Sequence, residues 1–192
     1  MTDPSRLIVG ISGASGIVYG VRLLEALKAL PVETHLVMTR TAEITLAHET
    51  DMKASDVRRL ADVAYKIDDL AAAISSGSYR TMGMIVAPCS MRSLSEIAHG
   101  ITSNLLTRAA DVVLKERRKL VLVARETPFH AIHLRNMTTL AEMGAIIAPP
   151  VPAFYPLPKT MDELVEHTAR RALARVGLTE FAPQPWDGVL HA

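Results

Sequence analysis

Three glycines at positions 10, 13 and 16 give the stretch GISGASG, which follows a short apolar run and precedes a helical pattern. A glycine turn that leads into a helix can hold a phosphate on its backbone N–H groups and on nearby hydroxyls, here Ser12 and Ser15. The alternative is a tight turn in which Ser15 simply caps the helix. The spacing departs from the dinucleotide fingerprint G-x-G-x-x-G.

An NAD site also requires an acidic residue at the end of the second strand. The corresponding run HLVMTR ends instead in Thr39 and Arg40. The sequence therefore disfavours NAD, and a plain NAD(P) oxidoreductase is the weakest functional alternative.

A second polar turn, APCSMRSLS, follows another apolar run. Ser90 and Ser93 offer hydroxyls, Arg92 offers a charge, and the following helix offers its N-terminal amides. Two such turns on one sheet suit a mononucleotide. Because no base stands near Cys89 in the sequence, a partly buried structural thiol is favoured over a nucleophile.

Cations and an acid follow further along the chain. Arg108 and Lys115 are seven residues apart, roughly two helical turns, and so share one side of a predicted helix. They either belong to a solvated face or project into a site, including one across a subunit boundary. Arg125 and Glu126 fall at a strand end, where Arg binds a phosphate or flavin oxygen and Glu transfers a proton. A surface ion pair is the alternative for these two.

His130 and His133 are the only close pair among the seven histidines. Because no carboxylate or thiolate cluster stands at ligand spacing, no metal site is predicted, and both histidines are expected to cap or pack. The chain also carries no Walker A, H-E-x-x-H or G-x-S-x-G element.

The elements that must position these residues alternate between strand and helix. Strands are predicted at 7–11, 32–38, 82–89, 119–125 and in AIIA. Helices are predicted after the two polar turns, and a short helix is predicted in TAEITLAHET. Further helices are predicted at 104–118, from an N-cap at Thr127 with Pro128 at the first position as far as Gly144, and at 160–176. This order predicts a parallel sheet with helices on both faces and ligands beyond the carboxyl ends of the strands.

Composition supports one globular domain, because 192 residues with 49% apolar content bury a sizeable core. Twenty-one Lys and Arg against 20 Asp and Glu leave a net charge of +1, which gives no field for nucleic acid or a membrane surface. No signal peptide and no membrane span is expected, and the single cysteine excludes an internal disulfide. A cytoplasmic location is predicted.

Several segments together closely resemble the UbiX-type flavin prenyltransferases: GISGASG, ETD, PCSMRSLS, RAADVVLKERRKLVLVARETP, HLRNM and PPVPAFYPLP. The resemblance runs from Leu7 to Trp186. It implies a Rossmann-like three-layer α/β sandwich with a mostly parallel sheet, one flavoprotein domain over 1–192, and a segment 155–192 that contributes to the substrate site and to subunit contacts. It also implies a homododecamer.

The family transfers the prenyl group of dimethylallyl monophosphate to N5 and C6 of reduced FMN, without metal, and the product serves a UbiD-type decarboxylase. The resemblance leaves open whether that decarboxylase acts in quinone synthesis or in aromatic-acid breakdown. It also leaves open whether a diphosphate replaces the monophosphate.

Site residues implied by the resemblance fall into three groups. The FMN contacts are Gly13, Ala14, Ser15, Thr39, Ser90, Met91, Arg92, Ser93 and Arg125. The prenyl phosphate contacts are Lys115, Glu126, Tyr155, Arg171 and, more weakly, Arg108, with Trp186 also near the substrate. The catalytic group is Ser15, Glu49, Lys115 and Glu126. Thr39 and Arg92 stand where many members have Ser and Lys, which preserves the hydroxyl and the charge.

Two other functions remain open beside the prenyltransferase. An oxidative decarboxylase of peptidyl-cysteine on the same fold is expected to carry a P-x-M-N-x-x-M-W type segment, which this sequence lacks. A non-catalytic FMN-binding accessory subunit would not need Lys115, Tyr155 and Arg171 together.

Overall fold

Strands and helices alternate along the chain, and the computed structural model describes residues 5–183 together with Pro185 and Gly188. The strands are β1 (Ser5–Ile11), β2 (Val32–Met38), β3 (Val63–Tyr65), β4 (Gly83–Cys89), β5 (Lys119–Ala124) and β6 (Ile146–Ile147). The helices are α1 (Ile17–Leu27), α2 (Arg40–Glu49), α3 (Ala54–Arg58), α4 (Met91–Ala98), α5 (Leu105–Lys115), α6 (Ala131–Glu142) and α7 (Met161–Arg175). The predicted α/β class is confirmed.

The six strands form one parallel sheet in the order β3-β2-β1-β4-β5-β6. Strand β1 lies between β2 and β4, so the direction in which the chain adds strands reverses at this point. Open parallel sheets bind ligands in the crevice outside the carboxyl ends of the strands at such a reversal. The turns after β1 and β4, which carry the two polar stretches, therefore flank the same crevice.

Helices cover both faces of the sheet, as the alternation of β1 side chains shows. Leu7, Val9 and Ile11 pack in one core cluster with residues of α1 and α7, whereas Ile8 packs in a second cluster with residues of α4 and α5. Successive strand residues point to opposite faces, so a strand with apolar residues at every position is buried between two helical layers. This arrangement confirms the three-layer sandwich.

Most predicted boundaries hold to within a few residues, and two short elements were not predicted. Helix α5 begins after Asn104, whose side chain accepts a hydrogen bond from the N–H of Thr107, and it stops before Arg117, which has a left-handed φ of 57°. Helix α3 and the edge strand β3 escaped prediction, since three to five residues are too few to show a hydrophobic period.

The start of α6 corrects a prediction. The helix begins at Ala131 and its N-cap is His130, not Thr127, because the His130 ring nitrogen accepts from the N–H groups of Ile132 and His133. The His130 and His133 rings also stack, with centroids 3.5 Å apart. The expectation that these histidines cap or pack is confirmed. None of the described helices has the length and apolar character needed to cross a membrane.

Candidate functional site

The turn between β1 and α1 is held by a carboxylate from another helix. Gly16 is the N-cap of α1, with a left-handed φ of 94° and no side-chain cap of its own. Glu49 Oε2 accepts hydrogen bonds from the N–H groups of Gly16 at 2.9 Å and Ile17 at 3.0 Å, and the Ser15 side chain donates to the same carboxylate. The alternative in which Ser15 caps the helix is therefore wrong: Glu49, at the end of α2, has that role.

The charge on Glu49 is favoured by this environment. Partial burial raises the pKa of the carboxyl, but the hydrogen bonds from Ser15, Ile17 and Gly16 and the charge of Arg125 outweigh burial and hold the pKa below its ordinary value. A carboxylate at a helix N-terminus also interacts favourably with the helix dipole. Glu49 is thus ionised near neutral pH and orders the turn that carries Gly13, Ala14 and Ser15.

Ser12 is a structural residue rather than a phosphate contact. Its side chain is fully buried, its Oγ donates to the Pro88 carbonyl at 3.0 Å, and the same Oγ accepts from the Ser90 N–H at 2.7 Å. The hydroxyl proton and one lone pair are used within the protein, and the complete burial of the side chain closes it to a ligand. Ser12 instead fixes the distance between the two polar turns.

Helices α2 and α4 both present their N-termini to one cavity of about 380 Å³. Thr39 Oγ1 accepts from the Ala42 N–H, and Ser90 Oγ accepts from the Ser93 N–H, so each cap satisfies one of the free amides in its first turn. The other first-turn amides have no partner within their helix. The cavity is lined by Thr39, Arg40, Thr41, Ile67, Asp68, Ser90, Arg92, Ser93, Glu96, Ser103 and Asn104.

This cavity fits a phosphorylated mononucleotide. Two helix N-termini offer amides and positive dipole ends, which is the arrangement that binds phosphate without a cluster of lysines. Arg92 adds a cation: its side chain is 82% exposed, and its Nε pairs with Glu96 at 3.0 Å. Met91 packs against the core beside the opening. Asn104 and Ser103 line the cavity but were not among the predicted site residues; the signal for them was the N-cap pattern before α5.

Arg125 and Glu126 follow β5 at the same edge of the sheet. The Arg125 N–H donates to the Cys89 carbonyl at 3.1 Å, which places the residue beside the Ser90 turn, and its charge acts on Glu49 and on Tyr19. Glu126 is half-buried, and its Oε1 accepts from the N–H of Thr127 at 2.9 Å. Among the described residues, Arg125 and Glu126 form no ion pair with each other, so both charges remain available for a ligand.

Arg108 and Lys115 both lie on α5, and each pairs with an acidic neighbour. Arg108 Nη1 pairs with Asp111 at 2.9 Å, and Lys115, the last residue of α5, pairs with Glu116. Asn104 at the start of α5 lines the cavity, and at the usual rise per residue the eleven residues of this helix place Lys115 about 16 Å further on. Within one chain, Lys115 and Glu126 therefore stand at opposite edges of the sheet.

The C-terminal candidates form a third group. Tyr155 and Arg171 line a cavity of about 300 Å³ with Ala174, Arg175, Ala182, Pro183 and Pro185. The Tyr155 hydroxyl hydrogen-bonds to His167 Nε2 at 3.3 Å. Neither Lys115 nor Glu126 is among the residues that line this cavity. Trp186 lies outside the described residues.

Cys89 has no part in this chemistry. Its side chain is completely buried, and burial raises the pKa of the thiol to about 12, so the thiolate does not form near neutral pH. The interpretation of Cys89 as a structural thiol is confirmed. Within the described part of the chain, no group of His, Cys, Asp and Glu is placed to hold a metal ion.

Comparison with known proteins gives concordant results. The profile of the family described as Flavoprotein matches residues 1–172. The Salmonella typhimurium protein named flavin prenyltransferase UbiX is 60% identical over 95% of each chain. A solved structure described as AnUbiX (PadA1) in complex with FMN and dimethylallyl pyrophosphate has a TM-score of 0.94 at 48% identity, over 98% of this chain and all of that one. A dodecameric FMN-dependent UbiX-like decarboxylase from Escherichia coli O157:H7 has a TM-score of 0.92 at 52% identity, over 96% of this chain and all of that one.

Proposed function

The chain belongs to the UbiX family of flavin prenyltransferases, and we propose that it joins the dimethylallyl group of dimethylallyl monophosphate to N5 and C6 of reduced FMN. The observation that carries the proposal is the cavity at the carboxyl edge of the sheet. Two helix N-termini open onto it, as binding of a flavin phosphate requires. Arg125 and Glu126 follow β5, and the Arg125 N–H donates to the Cys89 carbonyl beside the Ser90 turn, which lines the cavity.

For FMN, we assign the phosphate to the N-termini of α2 and α4 and the remaining contacts to the turn after β1. These contacts are Gly13, Ala14, Ser15, Thr39, Ser90, Met91, Arg92, Ser93 and Arg125. Support comes from the placement of Thr39, Ser90, Arg92 and Ser93 around one cavity. When bound, reduced FMN supplies the nucleophilic atoms; the residues of the chain bind it and orient it.

We assign the prenyl phosphate to cations from more than one subunit. Lys115, at the far end of α5, is too distant to reach the Glu126 of its own chain, and Tyr155 and Arg171 line a separate cavity. A complete site then requires that neighbouring chains bring these groups together, which fits a dodecamer like that of the structural relative. Segment 155–192, with Trp186 within it, is proposed to contribute to the substrate site and to the subunit contacts.

The chemistry requires that a phosphate leave from an allylic carbon. Lys115 and Arg171 stabilise the negative charge that develops on the leaving group, which supplies electrostatic stabilisation without a metal. We assign proton donation or relay to Tyr155, Glu126 and Ser15, and Glu49, which accepts a hydrogen bond from the Ser15 side chain, would orient Ser15. The aromatic side chain of Phe154, which is exposed in a single chain, provides part of a dry wall around the allylic carbon once subunits assemble.

The deciding experiment incubates the protein anaerobically with reduced FMN and dimethylallyl monophosphate, with EDTA in place of magnesium. Mass spectrometry of the released flavin should then show the added prenyl group. An unshifted flavin mass refutes the proposal, and a shift that requires magnesium refutes metal independence. In single-turnover assays, Glu126→Gln should slow prenylation, because the amide cannot transfer the proton; an unchanged rate would remove Glu126 from the proton relay.

An accessory FMN-binding subunit is the remaining second candidate, and the same assay separates the two because such a subunit binds FMN without changing its mass. We further propose that the product is passed to a UbiD-type decarboxylase and that the protein acts in the cytoplasm. Activation of a purified apo-decarboxylase by the reaction mixture tests the first point, and cell fractionation tests the second.

A further inference from the structure

The loop Ser75–Tyr79, of sequence SSGSY, is tied to helix α5 and to the turn that follows it. Arg118 Nη2 donates to the Gly77 carbonyl at 2.6 Å, and Arg118 Nη1 donates to the Tyr79 carbonyl at 2.8 Å. Arg108 Nε donates to the Ser75 carbonyl at 3.2 Å. Three carbonyls of a five-residue loop are thus held by two arginines, and charge-assisted hydrogen bonds of this kind are the stronger ones.

Gly77 lies against the ion pair of Lys115 and Glu116. A β-carbon added at Gly77 would stand 2.7 Å from Lys115 Nζ and 2.8 Å from Glu116 Cδ, both too close for a real contact. Both atoms are at the far ends of flexible side chains, so an alanine here displaces those ends without moving backbone. The φ of Gly77 lies outside the left-handed region, so its role is to leave space.

We propose that the loop Ser75–Tyr79, with Gly77 at its centre and Glu116 beside it, positions the ammonium group of Lys115 for the phosphate of the prenyl donor. The inference rests on the proposed function, because it concerns how one of the assigned phosphate contacts is held. Gly77, Glu116 and Arg118 are positioning residues that act through Lys115.

The need for such a device follows from the side chain of Lys115. It is a point charge on a flexible four-carbon chain, and it is about half exposed in this structure, so neither rotamer nor burial fixes it. Because Gly77 has no side chain, it leaves room for the Lys115 ammonium group, whose charge the Glu116 carboxylate neutralises. The hydrogen bond and charge of Lys115 hold the pKa of Glu116 below its ordinary value, so this counter-ion is present throughout the neutral range.

An arginine at position 118 suits the task of holding the loop Ser75–Tyr79. Its guanidinium reaches two carbonyls at once, which a lysine cannot do in fixed geometry. Arg108, itself a weaker candidate for the substrate phosphate, is attached to the same loop through Ser75. One loop therefore sets the relative positions of two cations of α5.

Gly77→Ala tests the proposal, with Gly144→Ala as the matched control. Gly144 has a φ of +95° and no atom within 4 Å of an added β-carbon, so its substitution strains backbone without displacing a side chain. We expect Gly77→Ala to raise KM for dimethylallyl monophosphate about tenfold, since displaced positioning groups commonly cost this much or more. KM for FMN and the melting temperature should stay close to those of the unsubstituted protein, and the control should leave both KM values unchanged.

An equal rise in both KM values, or no rise in either, overturns the positioning role. Glu116→Gln keeps the volume but removes the charge, and it should also raise KM for the prenyl phosphate alone. If the unsubstituted protein prenylates no flavin, the proposed function fails and this inference fails with it. If it does prenylate flavin and Gly77→Ala matches it, only the inference fails.

Discussion

The carboxylate of Glu49 at the end of α2 caps the N-terminus of α1, where its Oε2 accepts a hydrogen bond from the Gly16 N–H at 2.9 Å. The two residues are 33 positions apart. Helix α2 follows its N-cap Thr39, on the cavity assigned to the FMN phosphate, and ends at Glu49, on the turn assigned to the flavin. One short helix therefore links both parts of the proposed FMN site.

Replacing Glu49 with Gln should loosen this turn. The amide keeps one acceptor oxygen but loses the charge, and it turns an NH2 group toward amides that are themselves donors. We expect FMN binding to weaken about fivefold, equivalent to roughly 1 kcal/mol. Fluorescence titration of FMN measures this. Glu142→Gln is the control, because Glu142 likewise ends a helix but has no ion pair or hydrogen bond of its side chain among the described residues.

The contribution of Glu49 also depends on pH in a defined direction. Because its pKa is lower in the folded protein than the ordinary 4.5, its stabilising effect is complete above pH 4.5 and is lost as pH falls through the folded-state pKa. In urea titrations, the difference in unfolding free energy between the native protein and Glu49→Gln should shrink below pH 4.5. A constant difference down to the acid limit would contradict the assigned cause.

Substitution of Gly13 by Ala should affect both stability and FMN binding. The added β-carbon would stand 2.5 Å from Thr41 Oγ1 and 2.9 Å from the Thr41 carbonyl carbon, so backbone at the start of α2 must move. We expect a loss of about 1–3 kcal/mol of stability and at least tenfold weaker FMN binding. Gly144→Ala, which also costs stability through backbone strain, should leave FMN affinity unchanged. Equal FMN affinities in the two variants would argue against Gly13 as a flavin contact.

Ser12→Ala should destabilise the fold through two lost hydrogen bonds. The variant leaves the Ser90 N–H without its buried acceptor, and an unsatisfied buried donor costs about 1–3 kcal/mol. Urea unfolding measures the loss. Ser76→Ala is the control, since Ser76 is exposed and its hydroxyl bonds only to Ser78 among the described residues. If Ser12→Ala kept full stability and lost FMN instead, the hydroxyl would be a ligand contact after all.

Cys89 should resist thiol reagents in the folded protein. Its pKa is raised above the ordinary 9.0 to about 12, so the thiolate fraction stays small and burial blocks access. At about pH 8, a disulfide reagent should label the thiol only after unfolding. By linkage, stability from the buried neutral thiol is complete below pH 9.0 and is lost as pH rises toward 12. Rapid labelling under native conditions would contradict the structural role.

Short sequence patterns predicted the positions of most strands and helices and the family of this protein. The strand 32–38 was placed to the residue, and the three buried strands β1, β4 and β5 were placed to within two residues at each end, because continuous apolar runs between polar turns have few other interpretations. The helices predicted to begin at residues 104 and 160 begin one residue later, because Asn104 and Thr160 are their N-caps. Glycine spacing and the missing acid after β2 argued against NAD, and motifs along the chain indicated the family.

Contacts between distant segments were decided only by the tertiary structure. Ser12 and Ser15 are similar in sequence context, yet one bridges two strands in the core and the other bonds to Glu49 at the surface. His130, and not Thr127, caps α6, because the His130 ring nitrogen lies within hydrogen-bonding distance of the first free N–H groups of the helix. The fold likewise places Lys115 and Glu126 at opposite edges of the sheet, although only ten residues lie between them. Lys115 ends α5 at one edge, and β5 then crosses the sheet to Glu126 at the other edge. Sequence determines which groups a chain carries; the distance between them depends on how the elements pack.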